Sequence, residues 1–260
     1  MPGNTRPLTV QLEGLRVAIT AGAGGIGRAM ADGFVACGAR VFLCDVDREA
    51  LAGCPHPAMQ ADMETVEGCE GFVDEAVRRL GGLDVLVNNA GIAGPTAPIE
   101  EVMPEALSRV LKIDLEAMFH CARRAVPALR AAGGGSIVNL SSAAGRFGFP
   151  LRSPYAAAKW GVIGLTKSLA IELGPERVRV NAILPGLVAG DRIRRVIEAK
   201  AQANGRSFAE QEAEALRPVS LRCYVTPQDI ANMALYLCSP YGATVSGQAL
   251  AVDGDMQSLV

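Results

Sequence analysis

The sequence predicts an α/β fold with a mostly parallel sheet covered by helices on both faces. Apolar, strand-like runs alternate with segments of helical spacing along nearly the whole chain, which is typical of parallel sheets. The first run leads into a glycine-rich turn, and the second ends at an acidic residue, Asp45. No linker, repeat or low-complexity segment interrupts the alternation. We therefore expect a single domain over residues 1–260, with residues 1–11 flexible.

Each element has its own local signal. Apolar runs bounded by turn residues predict strands at 15–20, 40–44, 58–60, 83–88, 137–140, 178–182 and 249–252. Helical spacing predicts helices at 25–37, ending before Gly38, and at 66–80. Ser153 followed by Pro154 predicts an N-cap and first turn, and Thr226 with Pro227 predicts another.

Composition excludes several classes of function. The net charge is −2 and no dense Lys/Arg block occurs, so neither nucleic acid nor an acidic membrane is expected as a partner. The start lacks a signal-type apolar core and no apolar run reaches membrane-spanning length, which favours a cytoplasmic protein. Seven scattered cysteines without a C-x-x-C indicate reduced thiols. The two histidines lack metal-ligand spacing, so no metal site and no zinc-dependent alcohol dehydrogenase mechanism is expected.

Ser142, Tyr155 and Lys159 form the candidate catalytic group. The lysine follows the tyrosine by four residues, so the two share a helix face. A free tyrosine has a pKa of about 10, and a neighbouring ammonium stabilises the phenolate and lowers that value. A serine hydroxyl can hold the oxygen of an alcohol or ketone. The set predicts a proton-transfer device for an alcohol/ketone pair; the alternative is a surface helix with an incidental tyrosine and lysine.

The turn after the first strand predicts a dinucleotide site. Glycines there let the backbone approach a diphosphate, and the following helix N-terminus supplies free N–H groups. The residues assigned to this contact are Gly22, Gly24, Gly25 and Ile26.

Asp45 indicates which dinucleotide binds. A carboxylate at this strand end accepts hydrogen bonds from ribose hydroxyls and repels a 2′-phosphate. Val46 follows, where an arginine would be needed to receive that phosphate. NAD is therefore favoured over NADP. Asp62 and Met63, after the third strand, are assigned to the adenine end, although Asp62 alone could equally be a solvated loop acid.

With these residues, the chain resembles the short-chain dehydrogenase/reductase family. The resemblance rests on the glycine turn, on Ser142, Tyr155 and Lys159, and on three further motifs: Asn88-Asn89-Ala90-Gly91, Pro185-Gly186 and Val252-Asp253-Gly254. It implies a three-layer Rossmann fold with a seven-stranded sheet, hydride transfer to or from nicotinamide, and a homotetramer or dimer. It also implies that Lys159 holds the nicotinamide ribose as well as acting on Tyr155. Cofactor contacts are implied at Asn89, Ala90, Gly91, Tyr155, Lys159, Pro185, Gly186 and Val188.

The chain departs from the family pattern at three positions. Ala21 replaces the usual first glycine, which Gly22 and Gly24 are expected to compensate. Asp114 occupies the place of the fourth catalytic residue, normally asparagine; it can accept the hydrogen bond of the relay water but cannot donate when ionised. Gly190 stands where a threonine often contacts the nicotinamide amide, so we expect that contact to be lost or replaced.

The segment 187–225 predicts a helical substrate lid. Ile193, Val196 and Ile197 give one helix an apolar face, and Ser207 with Glu210 forms a capping box for a second. Arg192 on this lid and Arg152 near Tyr155 suggest an anionic small-molecule substrate, although lid arginines are more often solvated or paired with acids.

Two other functions remain open. A non-catalytic NAD-binding regulator or scaffold of the same fold is favoured only by Asp114. An enoyl-thioester reductase is similar in fold, and some dienoyl reductases of the family resemble this chain at Asp114, but Asp45 disfavours NADPH.

Overall fold

The computed structural model describes residues 8 and 10–259, without the side chains at 191, 192, 196, 199, 200 and 203. Within this part, seven strands form one sheet in the order β3-β2-β1-β4-β5-β6-β7, and every neighbouring pair is parallel. The strands are β1 Arg16–Ile19, β2 Arg40–Asp45, β3 Ala58–Gln60, β4 Val85–Asn88, β5 Gly135–Leu140, β6 Val178–Pro185 and β7 Ala249–Val252. The order reverses between β1 and β4, which opens a crevice at their carboxyl ends.

Helices cover both faces of the sheet, which confirms the three-layer Rossmann prediction. They are α1 Gly25–Ala36, α2 Arg48–Ala52, α3 Val66–Leu80, α4 Pro104–Leu111, α5 Ala117–Ala131, α6 Ser153–Leu173, α7 Asp191–Ala203, α8 Phe208–Leu216 and α9 Pro227–Cys238. One core packs α1 and α9 on β1 and β2 through Phe34 and Leu235. The other packs α3 and α5 on the opposite face through Phe72 and Leu129.

The predicted strands and the two helices of the first half are confirmed, with end shifts of at most three residues. The predicted capping box at Ser207 and the predicted N-cap at Thr226 are also present, and Thr226 forms a capping box with Asp229 as well. The prediction at Ser153 is wrong by one residue, because Arg152 is the N-cap and its side chain makes no capping bond.

The helical region between β4 and β5 is absent from the sequence prediction. The helix α4 begins after Met103, whose side chain cannot cap it, so the usual start signal is missing. The helix α5 contains an internal proline, Pro127, which normally predicts a break. Between them, Lys112–Glu116 forms one π-helical turn, a feature that is frequent at functional sites.

The amino-terminal segment is described only in part. Most of the flexible segment predicted at 1–11 lies outside the described residues, but the Leu8 N–H donates to Asn232 Oδ1 at 2.7 Å and Val10 is buried in the core. All seven cysteines are free thiols. Among the described residues, no helix combines the length and apolar character needed to cross a bilayer, and no group of three or more His, Cys, Asp or Glu residues is placed to hold a metal.

Candidate active site

The glycine turn between β1 and α1 presents bare backbone at the carboxyl end of the sheet. The N-cap of α1, Gly24, has no side chain to occupy the first-turn N–H groups, and a Cβ on Gly24 or Gly25 would meet only open space. Gly27, by contrast, could not carry a Cβ, because that atom would overlap the Ala21 carbonyl oxygen. The turn thus fits a diphosphate group through free N–H donors and a helix dipole.

Ala21 keeps the backbone conformation that a glycine would adopt at its position. Its φ of 49° lies in the left-handed region, which costs an alanine about 1–2 kcal/mol. The turn therefore forms without a glycine at position 21. That Gly22 and Gly24 compensate for Ala21 in cofactor binding stays a prediction. The chain itself tolerates the strained alanine.

Asp45 ends β2 and is tied to the glycine turn. Its carboxylate accepts hydrogen bonds from the Ala23 N–H at 3.1 Å and the Asp47 N–H at 3.1 Å. The side chain is half-buried, whereas neighbouring Val46 is exposed. A carboxylate held here faces the site expected for an adenosine ribose. Asp62 is exposed and accepts from the Glu64 N–H at 2.9 Å, while Met63 beside it is buried.

The motif after β4 fastens the glycine turn to the centre of the sheet. The Asn89 amide donates to the carbonyl oxygens of Thr20 and Ala21 at 3.0 and 2.9 Å. The Thr20 hydroxyl in turn accepts from the backbone N–H groups of Asn89 and Ala90. Gly91 is exposed, and a Cβ there would lie 3.2 Å from Lys159 Nζ. This contact of the Thr20 hydroxyl with Asn89 and Ala90 was not predicted from the sequence.

The Lys159 ammonium is held at the centre of the site. It donates to the Leu140 carbonyl oxygen at 3.1 Å and lies 3.2 Å from Asp114 Oδ2. It also lies 5.5 Å from the centroid of the Tyr155 ring. The lysine side chain is 4% exposed and the aspartate side chain 0%, so this is a buried ion pair. The other carboxylate oxygen accepts from the Ile92 N–H at 2.7 Å.

Ser142 lies two residues after the end of β5 and is the N-cap of the short 3₁₀ turn Ala143–Gly145. Its hydroxyl oxygen accepts from the Ala144 N–H at 3.1 Å and remains partly accessible. The preceding Ser141 hydroxyl donates to the Lys159 carbonyl oxygen at 2.8 Å. That bond fastens the serine segment to α6, the helix that carries Tyr155 and Lys159.

Arg152 lies beside Tyr155, but its guanidinium is already engaged. One nitrogen donates to the Ala93 carbonyl oxygen at 2.6 Å, and another lies 3.4 Å from the Thr96 hydroxyl. Its Cζ lies 5.3 Å from the Phe149 ring centroid and 5.5 Å from that of Tyr155. The side chain of Arg192 lies outside the part that the structure describes.

The segment after β6 packs against the loop that follows β7. Gly186 lies so close to Asp253 that a Cβ on it would meet that residue at 2.7 Å, and Pro185 is buried before it. Val188 pairs with Val225 in a short parallel bridge, which ties the two ends of the lid together. Gly190, with φ of 150°, opens α7 with free space around its Cα.

The structure brings together two groups of predicted residues: the glycine turn with Asp45, Asn89 and Ala90, and Lys159 with Asp114 and Tyr155. Three sets of contacts were not predicted from the sequence. The Leu140 carbonyl binds Lys159, the Ile92 N–H binds Asp114, and the Arg152 guanidinium binds Ala93 and Thr96. The two backbone groups have no signature in a sequence. The contact between Lys159 and the Leu140 carbonyl, at the end of β5, becomes evident only once the fold is known.

Comparison with known proteins identifies the family of the chain. The family model described as "Enoyl-(Acyl carrier protein) reductase" matches residues 20–257. A probable galactose dehydrogenase, GalD, of Rhizobium meliloti is 38% identical over 249 residues, covering 92% of this chain and 93% of that protein.

Two solved structures share the fold at similar length. A xylitol dehydrogenase with bound NAD+ has a TM-score of 0.86 and 28% identity, covering 94% of this chain and all of that one. An actinorhodin polyketide ketoreductase with NADPH has a TM-score of 0.85 and 33% identity, with coverage of 94% and 98%. The chain belongs to the short-chain dehydrogenase/reductase family.

Proposed function

We propose that this protein is an NAD-dependent oxidoreductase that interconverts a secondary alcohol and its ketone. The observation that carries the proposal is the buried Lys159 ammonium, held by Asp114 and Leu140 and 5.5 Å from the Tyr155 ring centroid. A buried cation in this place favours the phenolate over the phenol. That preference suits a tyrosine that exchanges a proton with a substrate hydroxyl.

The chain's own residues then divide the work. In the oxidative direction, the Tyr155 phenolate accepts the hydroxyl proton while the carbinol carbon loses its hydrogen as hydride, with the bonding electron pair. Ser142 donates a hydrogen bond to the substrate oxygen, and Lys159 stabilises the charge on Tyr155. Nicotinamide, when bound, would supply the hydride acceptor for this direction and the hydride donor for the reverse one. Because Asp114 pairs directly with Lys159, we assign it to the proton relay behind the lysine.

Asp45 supports NAD as the cofactor. Its carboxylate is fixed at the end of β2 by the Ala23 and Asp47 N–H groups, and a 2′-phosphate placed there would meet a negative charge. Of the two related structures, one holds NAD+ and the other NADPH. The proposed preference for NAD over NADP therefore rests on the Asp45 carboxylate. The remaining cofactor contacts are proposed at Gly22, Gly24, Gly25, Ile26, Asp62, Met63, Asn89, Ala90, Gly91, Pro185, Gly186 and Val188.

The substrate is proposed to be a small secondary alcohol that enters beneath the lid at 187–225. An anionic substrate group would have to share the Arg152 guanidinium with Ala93 and Thr96, so Arg152 supports an anionic substrate less than the sequence suggested. For Arg192, anion recognition stays a prediction. A screen of matched neutral and acidic alcohols separates the two classes.

Assembly and location are proposed on broader grounds. Phe119 on α5 and both Trp160 and Ile171 on α6 are exposed apolar side chains, which suits a homodimer or homotetramer that covers this face. Light scattering of the purified protein tests the assembly. We propose a cytoplasmic protein with no nucleic-acid or membrane partner.

An enoyl-thioester reductase is the second candidate, because the matching family model carries that description. A scaffold that binds NAD without turnover is the third. Activity of the purified protein with saturated secondary alcohols and NAD favours the first proposal over both. Turnover only with an enoyl thioester would replace it by the second, and tight NAD binding without turnover on either panel would favour the third.

The decisive experiment replaces Tyr155 with phenylalanine. Loss of a general acid/base typically costs roughly 10²–10⁴-fold in rate, so alcohol oxidation should collapse while NAD binding, measured by calorimetry, persists. Tyr241→Phe is the matched control, because Tyr241 is exposed on the far end of the sheet after α9. Near-native turnover by Tyr155→Phe would refute the proposed mechanism.

A further inference from the structure

Three charged side chains lie near Tyr155: Lys159, Asp114 and Arg152. On one side is Lys159, whose ammonium lies 3.2 Å from the Asp114 carboxylate. Charges of opposite sign at that distance cancel much of each other's field a few ångströms away. The Asp114 carboxylate therefore weakens the electrostatic effect of the Lys159 ammonium on a Tyr155 phenolate.

A second cation lies at the same distance from the ring. The Arg152 Cζ is 5.5 Å from the Tyr155 centroid, as is the Lys159 Nζ. Both distances are within the range of about 6 Å over which a cation interacts with an aromatic face. Arg152 is the N-cap residue of α6, three residues before Tyr155, and Lys159 lies within α6, so both cations come from residues close to the tyrosine in sequence.

The Arg152 guanidinium is also held in place from three directions. It donates to the Ala93 carbonyl oxygen at 2.6 Å, lies near the Thr96 hydroxyl, and packs on the Phe149 ring. Residues Ala93 and Thr96 belong to the loop that follows β4, beyond the Asn88–Gly91 motif. The guanidinium thus joins that loop to the Tyr155 ring.

We propose that Arg152 is a positioning residue for Tyr155: it holds the phenol ring against the loop after β4 and adds a positive charge that stabilises the phenolate. The inference rests on the proposed role of Tyr155 in proton transfer. Among the described side chains, the charged groups near the ring are Arg152 at the start of α6 and Lys159 within it, with Asp114 from the π-helical turn behind the lysine. On the lid, the side chains at 191 and 192 lie outside the described part.

The first test compares the pH dependence of kcat/KM for alcohol oxidation in four proteins. Arg152→Gln and Arg152→Met remove the charge, so the pH at half-maximal kcat/KM should rise by about one unit. At neutral pH, this corresponds to a loss of about tenfold, and the loss should shrink at high pH. Arg152→Lys keeps the charge without the planar fork, and it should keep the profile of the wild type.

Thr96→Val is the matched control for a purely structural role. It removes one contact of the guanidinium but leaves the charge in place, so its profile should match the wild type. A fall in kcat/KM that is equal at every pH in the neutral Arg152 variants would show that the residue only ties the loop, and it would overturn the proposal. So would an Arg152→Lys profile displaced as far as that of Arg152→Gln.

A double-mutant cycle with Asp114→Asn tests the reason for the second cation. With the carboxylate removed, the full charge of Lys159 acts on the tyrosine, so the shift caused by Arg152→Gln should become smaller than in the wild-type background. A shift of equal size in both backgrounds would contradict the link between Asp114 and Arg152.

A final measurement needs no substrate or cofactor. The ultraviolet absorbance of the phenolate is followed against pH in the wild type and in Arg152→Gln, each corrected by subtracting its Tyr155→Phe counterpart. The corrected transition should lie at higher pH in Arg152→Gln, and coincident transitions would refute the charge effect. If oxidation survives Tyr155→Phe, the proposed function fails, but this titration still decides whether Arg152 stabilises the phenolate.

Discussion

The Lys159 ammonium and the Asp114 carboxylate form a direct ion pair, 3.2 Å apart, between side chains that are almost fully buried. The aspartate reaches this place from a π-helical turn, and its second oxygen accepts from the Ile92 N–H at 2.7 Å. Asp114 therefore connects Lys159 to the loop after β4. Removing one partner of a buried pair leaves the other uncompensated, at a cost of about 3–5 kcal/mol.

This relationship predicts different outcomes for two variants of Asp114. Asp114→Asn keeps an oxygen that can accept from the Ile92 N–H but leaves the Lys159 charge uncompensated, so it should lose stability while remaining active, and it should work at lower pH than the wild type. Asp114→Ala loses both contacts, so it should lose about 3 kcal/mol of stability and most activity. Denaturant unfolding and pH profiles of kcat/KM check these outcomes. Equal stability and activity in all three forms would show that the pair has no role.

Asp45 predicts a change of cofactor preference. In Asp45→Ala with Val46→Arg, the repelling carboxylate is gone and a guanidinium is available for a 2′-phosphate, so the ratio of kcat/KM for NAD over NADP should fall by at least about tenfold. Asp45→Asn is the control, because it removes the charge while its one carbonyl oxygen can still accept from the Ala23 or the Asp47 N–H, which Asp45 binds with separate oxygens. A wild-type protein that already prefers NADP would contradict the assignment.

The main framework was predictable because it depends on local patterns. Strand ends within three residues, the glycine turn and the capping box at Ser207 all follow from residue types at fixed spacing. Tyr155 and Lys159 share a face of α6 for the same reason.

What was missed depends on tertiary contacts. The π-helical turn that carries Asp114 exists where α4 and α5 meet, and no propensity distinguishes its residues from those of an ordinary helix. The Leu140 carbonyl that binds Lys159 is a backbone group with no sequence signature. Arg152 was predicted to face a substrate, but its donors are directed to Ala93 and Thr96, which only the folded path of the loop after β4 brings near.

Arg16 and Asp84 predict a pH-dependent contribution to stability. The Asp84 carboxylate accepts two guanidinium bonds at 2.7 Å and one from the Arg16 N–H at 2.9 Å, with both side chains about three-quarters buried. Burial alone would raise the pKa of Asp84, but these bonds and the charge of Arg16 outweigh it and hold that pKa below its usual value of 3.8.

The sign follows from that depressed pKa. The stabilising contribution of Asp84 is present above about pH 4 and is lost as the pH falls through the folded-state value. Asp84→Asn should therefore cost about 1–3 kcal/mol at neutral pH and progressively less in acid. Asp74→Asn is the control: Asp74 pairs with Arg124 through the same two-pronged contact, but both are half exposed, so the cost should stay below about 1 kcal/mol. Equal costs for the two variants, or a gap that does not narrow in acid, would refute the prediction.

Ala21 and Ala23 predict opposite responses to the same substitution in one turn. Ala21 has a left-handed φ of 49°, so Ala21→Gly removes a strain of about 1–2 kcal/mol while adding about 0.4–1 kcal/mol of unfolded-chain entropy. The net effect should be a stabilisation of about 0.5–1 kcal/mol. Ala23 is not among the residues with positive φ and is buried, so Ala23→Gly meets the entropic cost, loses a buried methyl group and should destabilise by at least about 0.4–1 kcal/mol. Denaturant unfolding of the cofactor-free protein measures both changes under one set of conditions. A loss of stability in Ala21→Gly as large as that in Ala23→Gly would mean that the left-handed alanine carries no strain.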